Sequence, residues 1–314
     1  MSKKRRRGKA RSDRRPQEPV VTTMEERPKR SDTPPLLGWL SRSGDPRWPS
    51  IPRALGRGFI AIGSSPIALA IPFLFVFLAW VGLVALGLEG PSALIVDLAA
   101  LPPVGTYFDA SNGITIYGYG LPALLAAIGF IVVRSLLVAV MTGLIVQSLE
   151  GEGDEIAGAV RGLLAYPIIL AVNILSMSMM LAGSLILPYL GEALGSLGSV
   201  LILVAALFLF AFAPAAAVRE RRGLMETLRR SARAAMMPGS RHAIMSMLYI
   251  FLALPILVAF APHGNELTAN PPLVTWIYGL VVTFVHSAFL AAFAYRWIAI
   301  ESAVPDGAVR ARRR

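Results

Sequence analysis

The sequence predicts an all-α, polytopic integral membrane protein with six transmembrane helices. The 314 residues are 55% hydrophobic and only 16% charged, whereas soluble domains contain about 25% charged residues. The apolar residues also form several long runs, each of about 20 residues or more, which is the length needed to cross a bilayer. This composition excludes an ordinary soluble enzyme, and the absence of cysteine excludes disulfides and thiolate chemistry.

Residues 1–50 form a polar, basic tail that we expect to be disordered and cytoplasmic. The tail contains the run KKRRR at positions 3–7 and seven prolines, with almost no apolar periodicity. Such a segment cannot bury enough apolar surface to offset the entropy lost on ordering. No apolar run follows the basic residues closely enough to form a signal peptide. We expect a second basic cytoplasmic tail at 301–314.

Six apolar spans follow within a predicted transmembrane domain at 51–300. Their approximate ranges are 66–88, 119–147, 163–187, 198–218, 243–261 and 273–299. The second span is longer than a hydrocarbon core of about 30 Å requires, so we expect it to extend into the cytoplasm. Prolines inside these spans are tolerated because neighbouring helices satisfy the freed backbone groups.

The distribution of positive charge predicts the orientation of the chain. Residues up to Arg57 include sixteen Lys and Arg, the 219–242 connection has seven, and the end from Arg296 has five. The connections at 89–118, 188–197 and 262–272 have none. By the positive-inside rule, we expect both termini to lie in the cytoplasm. We expect the membrane to be the inner membrane of a bacterial cell. An even number of spans agrees with this placement.

Short amphipathic stretches precede the first, third and fifth spans, at 51–65, 154–165 and 223–237. We expect each of them to form an elbow helix that lies in the plane of the headgroups. Arginines on such helices favour anionic lipid. The candidate headgroup contacts are Arg53, Arg57, Arg222, Arg229, Arg230 and Arg233.

Three polar side chains are expected deep within the apolar spans. Arg134 is either a contact for an anion or substrate, or an interfacial residue followed by a segment that packs on other helices. The second interpretation is favoured, because the apolar run around Arg134 is longer than a bilayer crossing requires. Asn173 and His286 are the other two. An intramembrane histidine such as His286 can serve in a proton relay, but a single one more often bonds an adjacent helix. Ser196, Ser199 and His286 suit an intramembrane serine protease by topology, but the G-x-S-G pattern and an outer Trp-Arg pair are absent.

The segment 218–233 (VRERRGLMETLRRSAR) resembles the stretch after the fourth span in uncharacterised bacterial six-span membrane proteins related to the membrane domain of glycerophosphoryl diester phosphodiesterases. The positions that carry this resemblance are Glu220, Gly223, Leu228, Ser231, Gly239 and Arg241, together with Arg57-Gly58-Phe59 and Pro66 at the first span. Ala232 stands where that family has Trp. The resemblance implies a membrane domain over 51–300 and no catalytic residues.

These features predict a non-enzymatic inner-membrane protein that organises lipid, supports assembly or serves as a structural subunit. Its expected partners are membrane lipids with anionic headgroups, and other membrane subunits are a further class. The alternative is a small-molecule or ion transporter, which would bring charged residues together at mid-membrane, and an intramembrane hydrolase is a more remote alternative. No cofactor or metal site is expected, because His242, His263 and His286 are far apart in sequence. The basic tail lacks the interleaved aromatics that would favour nucleic acid.

Overall fold

A computed structural model describes residues 48–85, 101–105, 121–151, 154–253 and 272–304. These residues contain helices and no strand, so the predicted all-α class is confirmed. Nine α-helices occur in this part of the chain: α1 (Ile51–Ser64), α2 (Pro66–Ala85), α3 (Leu121–Glu150), α4 (Glu155–Ile186), α5 (Glu192–Phe210), α6 (Ala213–Glu220), α7 (Leu224–Ala235), α8 (His242–Leu252) and α9 (Pro272–Ile300). Of the predicted tails at 1–50 and 301–314, only 48–50 and 301–304 lie within the described residues.

Four stretches are long and apolar enough to cross a membrane: Ile128–Glu150, Glu155–Gly183, Leu201–Glu220 and Trp276–Ala303. A fifth crossing is obtained if α1 and α2, which meet at a 67° bend, count as one broken span. In the described part of the predicted fifth span, α8 is an apolar helix of 11 residues, and the rest of that span, from 254, lies outside the described residues. The structure therefore supports a membrane protein with four or five candidate spans, whereas the sequence predicted six.

Helices α3 and α4 form an antiparallel hairpin whose backbones are in direct contact. A Cβ atom added at Gly143 would overlap the carbonyl oxygen of Gly158, and one at Gly162 would overlap that of Ala139. Asp154 caps the start of α4, because its carboxylate accepts a hydrogen bond of 3.0 Å from the Ala157 amide. Small residues at such positions allow membrane helices to pack closely.

The expected separate elbow helix at 154–165 does not form. Helix α4 continues without a break through Pro167 to Ile186. Residues on both sides of this proline, including Gly162, Ala165 and Ile169, are buried. Their common buried face keeps the two halves of α4 in line, although the proline removes one backbone hydrogen bond.

Helix α9 is a central element, and α1 and α2 follow it in the antiparallel direction. Three contacts mark this path: Trp48 with Arg296 (5.0 Å from ring centre to guanidinium carbon), Phe59 with Phe284 (5.5 Å) and Phe73 with Trp276 (5.3 Å between ring centres). A Cβ at Gly58 would overlap the carbonyl oxygen of Ala288, so α1 also packs backbone against backbone. The first predicted elbow helix therefore forms, but it lies along α9.

Candidate functional site at the basic end of the bundle

Eight charged side chains of the described residues gather at one end of the bundle, which we call the basic end. It consists of Glu150 at the end of α3, Arg161 in α4, residues 219–222 after α6, Arg230 in α7 and Glu301 after α9. Ion pairs join these segments across the sequence. The connections that the charge pattern assigns to one side of the membrane are thus neighbours in the fold.

Arg219 is the centre of the outer part of this network. Its Nη1 atom lies 2.9 Å from the Glu150 carboxylate, and its Nε atom lies 2.7 Å from the Glu301 carboxylate. Arg161 forms a further pair of 2.8 Å with Glu150. These side chains are partly exposed, and single exposed pairs contribute only about 0–1 kcal/mol to stability. The network mainly fixes where its charged groups lie.

The inner part of the network is a buried pair between Arg230 and Glu220. The side chains are 4% and 5% exposed, and the Nε atom of Arg230 lies 2.8 Å from the Glu220 carboxylate. Arg230 also donates hydrogen bonds to the backbone carbonyls of Glu301 (3.1 Å) and Val304 (3.4 Å). The prediction that Arg230 contacts lipid headgroups is therefore wrong, because protein acceptors surround its guanidinium.

A cleft of about 320 Å³ opens beside the outer network. It is lined by Glu150, Arg161, Val218, Arg219 and Arg221. Arg221 is exposed and ends α6 in a left-handed backbone conformation with φ 49°. Because three guanidinium groups face one carboxylate in the lining, the cleft suits an anion, and guanidinium groups bind phosphate and carboxylate oxygens particularly well.

The other predicted headgroup contacts are more accessible than Arg230. Arg53 and Arg57 are exposed on α1, and Arg229 is exposed on α7. Arg222 and Arg233 are partly exposed, at 38% and 34%; Arg222 pairs with Glu220 at 2.9 Å, and Arg233 lies 4.0 Å from Glu226.

Arg134 lies inside the helix bundle and is only 3% exposed. Its guanidinium carbon is 4.7 Å from the centre of the Phe130 ring. The segment after it packs on α4, as the interfacial interpretation requires, with Val138, Met141 and Ile145 among the buried residues. The guanidinium itself is enclosed by protein, which that interpretation did not anticipate.

His286 is the partner of Tyr249. The Tyr249 hydroxyl lies 2.9 Å from Nδ1 of the His286 ring, and both side chains are buried. This contact confirms the expectation that His286 bonds a neighbouring helix. The side chains of Ser196 and Ser199, needed for the hydrolase alternative, lie outside those that the structure describes.

Asn173 joins α4 to two other parts of the chain. Its side-chain oxygen accepts a hydrogen bond of 2.8 Å from the Gly105 amide, and its nitrogen donates one of 2.8 Å to the Ser135 hydroxyl. Ser176 in turn donates to the Gly105 carbonyl at 2.8 Å. Asn173 thus bonds both a neighbouring helix and a separate segment of the chain. Its second partner, the buried segment 101–105, was not anticipated from the sequence.

The burial of Arg296 was also not anticipated, because its position near the C-terminus indicates only one more positive charge on that side. Arg296 is 1% exposed, stacks on Trp48, and donates a hydrogen bond to the Ser240 carbonyl. Its position a few residues before the end of an apolar run was the available signal. Among the described residues, no group of three or more histidine, aspartate or glutamate side chains is arranged to hold a metal ion.

Comparison of the chain with protein-family models, curated proteins and solved structures finds no match. The positions behind the resemblance to phosphodiesterase-related membrane proteins have local structural roles. Ser231 donates a hydrogen bond of 2.6 Å to the Leu209 carbonyl, and Gly239 and Arg241 have left-handed backbones with φ of 77° and 46°. These roles concern folding and specify no chemistry.

Proposed function

We propose that this chain is a non-enzymatic integral membrane protein of the bacterial inner membrane that organises anionic lipid around its exposed arginines. In this proposal both termini lie in the cytoplasm, and the inner leaflet supplies the lipid. The observation that carries the proposal is the position of three exposed arginines, Arg53, Arg57 and Arg229, on helices whose opposite faces are buried. Relatedness to the phosphodiesterase-associated membrane proteins remains part of the proposal.

On α1 and α7, buried residues and exposed arginines lie on different faces of the helix, and this arrangement supports the proposed function. Ala54 and Ile62 are buried on α1, and Thr227 and Ala234 are buried on α7. Helices of this kind place basic side chains at the level of the headgroups while their apolar sides are covered. A basic residue near an anionic membrane surface contributes about 1 kcal/mol of attraction. The basic tails in the sequence would add to this attraction.

Replacing Arg53, Arg57 and Arg229 together with Gln is expected to reduce the enrichment of anionic lipid around the protein. The measurement extracts the full chain with its surrounding lipid in polymer nanodiscs and compares the phosphatidylglycerol fraction with that of the bulk membrane. The matched control replaces the same residues with Lys, which keeps the charge, so its enrichment should persist and weaken with added salt. Equal phosphatidylglycerol fractions in the disc and the bulk membrane for the wild type would contradict the proposed function.

A transporter for a small anion is the second candidate function. It is favoured by three buried polar side chains from three helices: Arg134, and Tyr249 and His286, which are hydrogen-bonded to each other. Ionisable residues inside membrane proteins often mark the path of a substrate or proton. In a neutral His286 ring whose Nδ1 accepts the tyrosine hydroxyl, the proton is carried by Nε2. Such an arrangement fixes one tautomer of the His286 ring.

Purified wild-type protein in vesicles is expected to conduct chloride and phosphate no faster than protein-free vesicles. In a transporter, Arg134→Lys would lower the flux while leaving thermal stability unchanged, since Lys cannot reproduce the bidentate hydrogen bonds of Arg. Anion flux, followed with an ion-sensitive dye, and the melting temperature are measured on the same preparations. Wild-type flux that disappears in Arg134→Lys would replace the proposed function with this candidate.

A further inference from the structure

We propose that the cleft at the basic end binds the phosphate of one anionic phospholipid, whose acyl chains lie along α4. This inference rests on the proposed function and deepens it, because it names a single site within a generally lipid-attracting surface. It is argued from the charge of the cleft and from the apolar surface that begins beside it.

The described lining of the cleft contains three arginines and one glutamate. Arg161 and Arg219 share Glu150, and Arg219 also pairs with Glu301. Arg221 lines the same cleft, is exposed, and forms no ion pair with a described residue. Among the described residues that line the cleft, Arg221 is therefore the arginine whose charge is left for a ligand. A phosphate oxygen accepts charge-assisted hydrogen bonds from such a group.

An apolar stripe on α4 begins next to Arg161. Leu164, Ile168 and Leu175 form this stripe, at three, seven and fourteen residues after Arg161, so they share its side of the helix. Leu164 is 57% exposed and Leu175 is 37% exposed. Arg161 is followed by the buried Gly162 and lies at the border between the buried and exposed faces of α4.

This combination favours a lipid over a soluble phosphate compound. The cleft of about 320 Å³ is large enough for a phosphate and a small attached group. A soluble compound would use only the arginines, whereas a phospholipid also covers the apolar stripe of Leu164, Ile168 and Leu175. The stripe belongs to a helix that is long and apolar enough to cross a membrane, so acyl chains are available beside it.

The test measures binding of phosphatidylglycerol to the delipidated full-length protein by native mass spectrometry. We expect one lipid to bind tightly, and Arg221→Gln to weaken its binding about ten-fold or more, as expected for loss of a charged hydrogen bond. Arg241→Gln is the matched control, because Arg241 is also exposed, also has a left-handed backbone (φ 46°), and does not line the cleft. Its affinity should equal that of the wild type.

Two further arms identify the source of the phosphate. Leu164→Ser should weaken phosphatidylglycerol binding and leave inorganic phosphate binding unchanged, and phosphatidylcholine should bind less tightly than phosphatidylglycerol. If inorganic phosphate binds as tightly as the lipid, or if Arg221→Gln and Arg241→Gln behave alike, the proposed lipid site is wrong. The enrichment of anionic lipid in nanodiscs is measured separately and tests the proposed function. Failure of the lipid site is therefore distinguishable from failure of that function.

Discussion

Replacing Gly143 with Ala is expected to destabilise the protein by about 1–3 kcal/mol, the usual effect of overpacking. The added methyl group would overlap the carbonyl oxygen of Gly158 and come close to the backbone of Gly162. Backbone atoms cannot move aside as a flexible side chain can, so α3 and α4 would have to separate. For a domain of about this size, each 1 kcal/mol corresponds to about 2–4 °C in melting temperature. Thermal unfolding of the purified protein in detergent measures the change.

Gly129→Ala is the matched control for this prediction. Gly129 lies in the same helix and is exposed, and a Cβ atom built there would meet nothing within 4 Å. Alanine has a helix propensity about 1 kcal/mol more favourable than glycine, so this variant should be as stable as the wild type or slightly more stable. If both variants lower the melting temperature equally, close contact between α3 and α4 does not stabilise the fold.

The close contact between α3 and α4 shows what the sequence analysis could and could not predict. Composition and apolar length are sufficient to predict an all-helical membrane protein, because they depend on each segment alone. The stretch 154–165 was interpreted as an elbow helix on the basis of its amphipathic pattern and Pro167. The face of this stretch that carries the small residues Gly158 and Gly162 packs against α3. The spacing of these two glycines was the signal that predicts such packing.

The arginines of α7 illustrate a second limit of prediction from sequence. Helical periodicity places Arg229, Arg230 and Arg233 on one face of α7. It therefore predicts the same exposure to solvent for all three side chains. In the structure Arg229 is exposed and Arg230 is buried. The difference arises from Glu220 and from the carbonyls at 301 and 304, which approach Arg230 from other parts of the chain. Contacts of such long sequence separation cannot be read from a single helix.

Arg230→Met is expected to have the second large effect, a loss of about 3–5 kcal/mol of stability. The change leaves the buried Glu220 carboxylate without its closest partner and removes the hydrogen bonds to the 301 and 304 carbonyls. Arg229→Met is the control, because Arg229 is adjacent in α7 but exposed, and surface substitutions usually change stability by no more than about 0.5 kcal/mol. Melting temperatures of the two variants in the same detergent provide the comparison, and equal values would show that the buried pair is not important for stability.

Adding Glu220→Leu to Arg230→Met separates the cost of an unpaired buried charge from the value of the pair itself. A buried ion pair costs a large desolvation free energy, so replacing both members with apolar residues is often neutral. We therefore expect the double variant to recover much of the stability that Arg230→Met loses. Arg222, the other partner of Glu220, is 38% exposed and can be solvated when Glu220 is removed. A double variant no more stable than Arg230→Met alone would assign the loss to the Glu301 and Val304 carbonyls, and hence to the anchoring of the segment after α9.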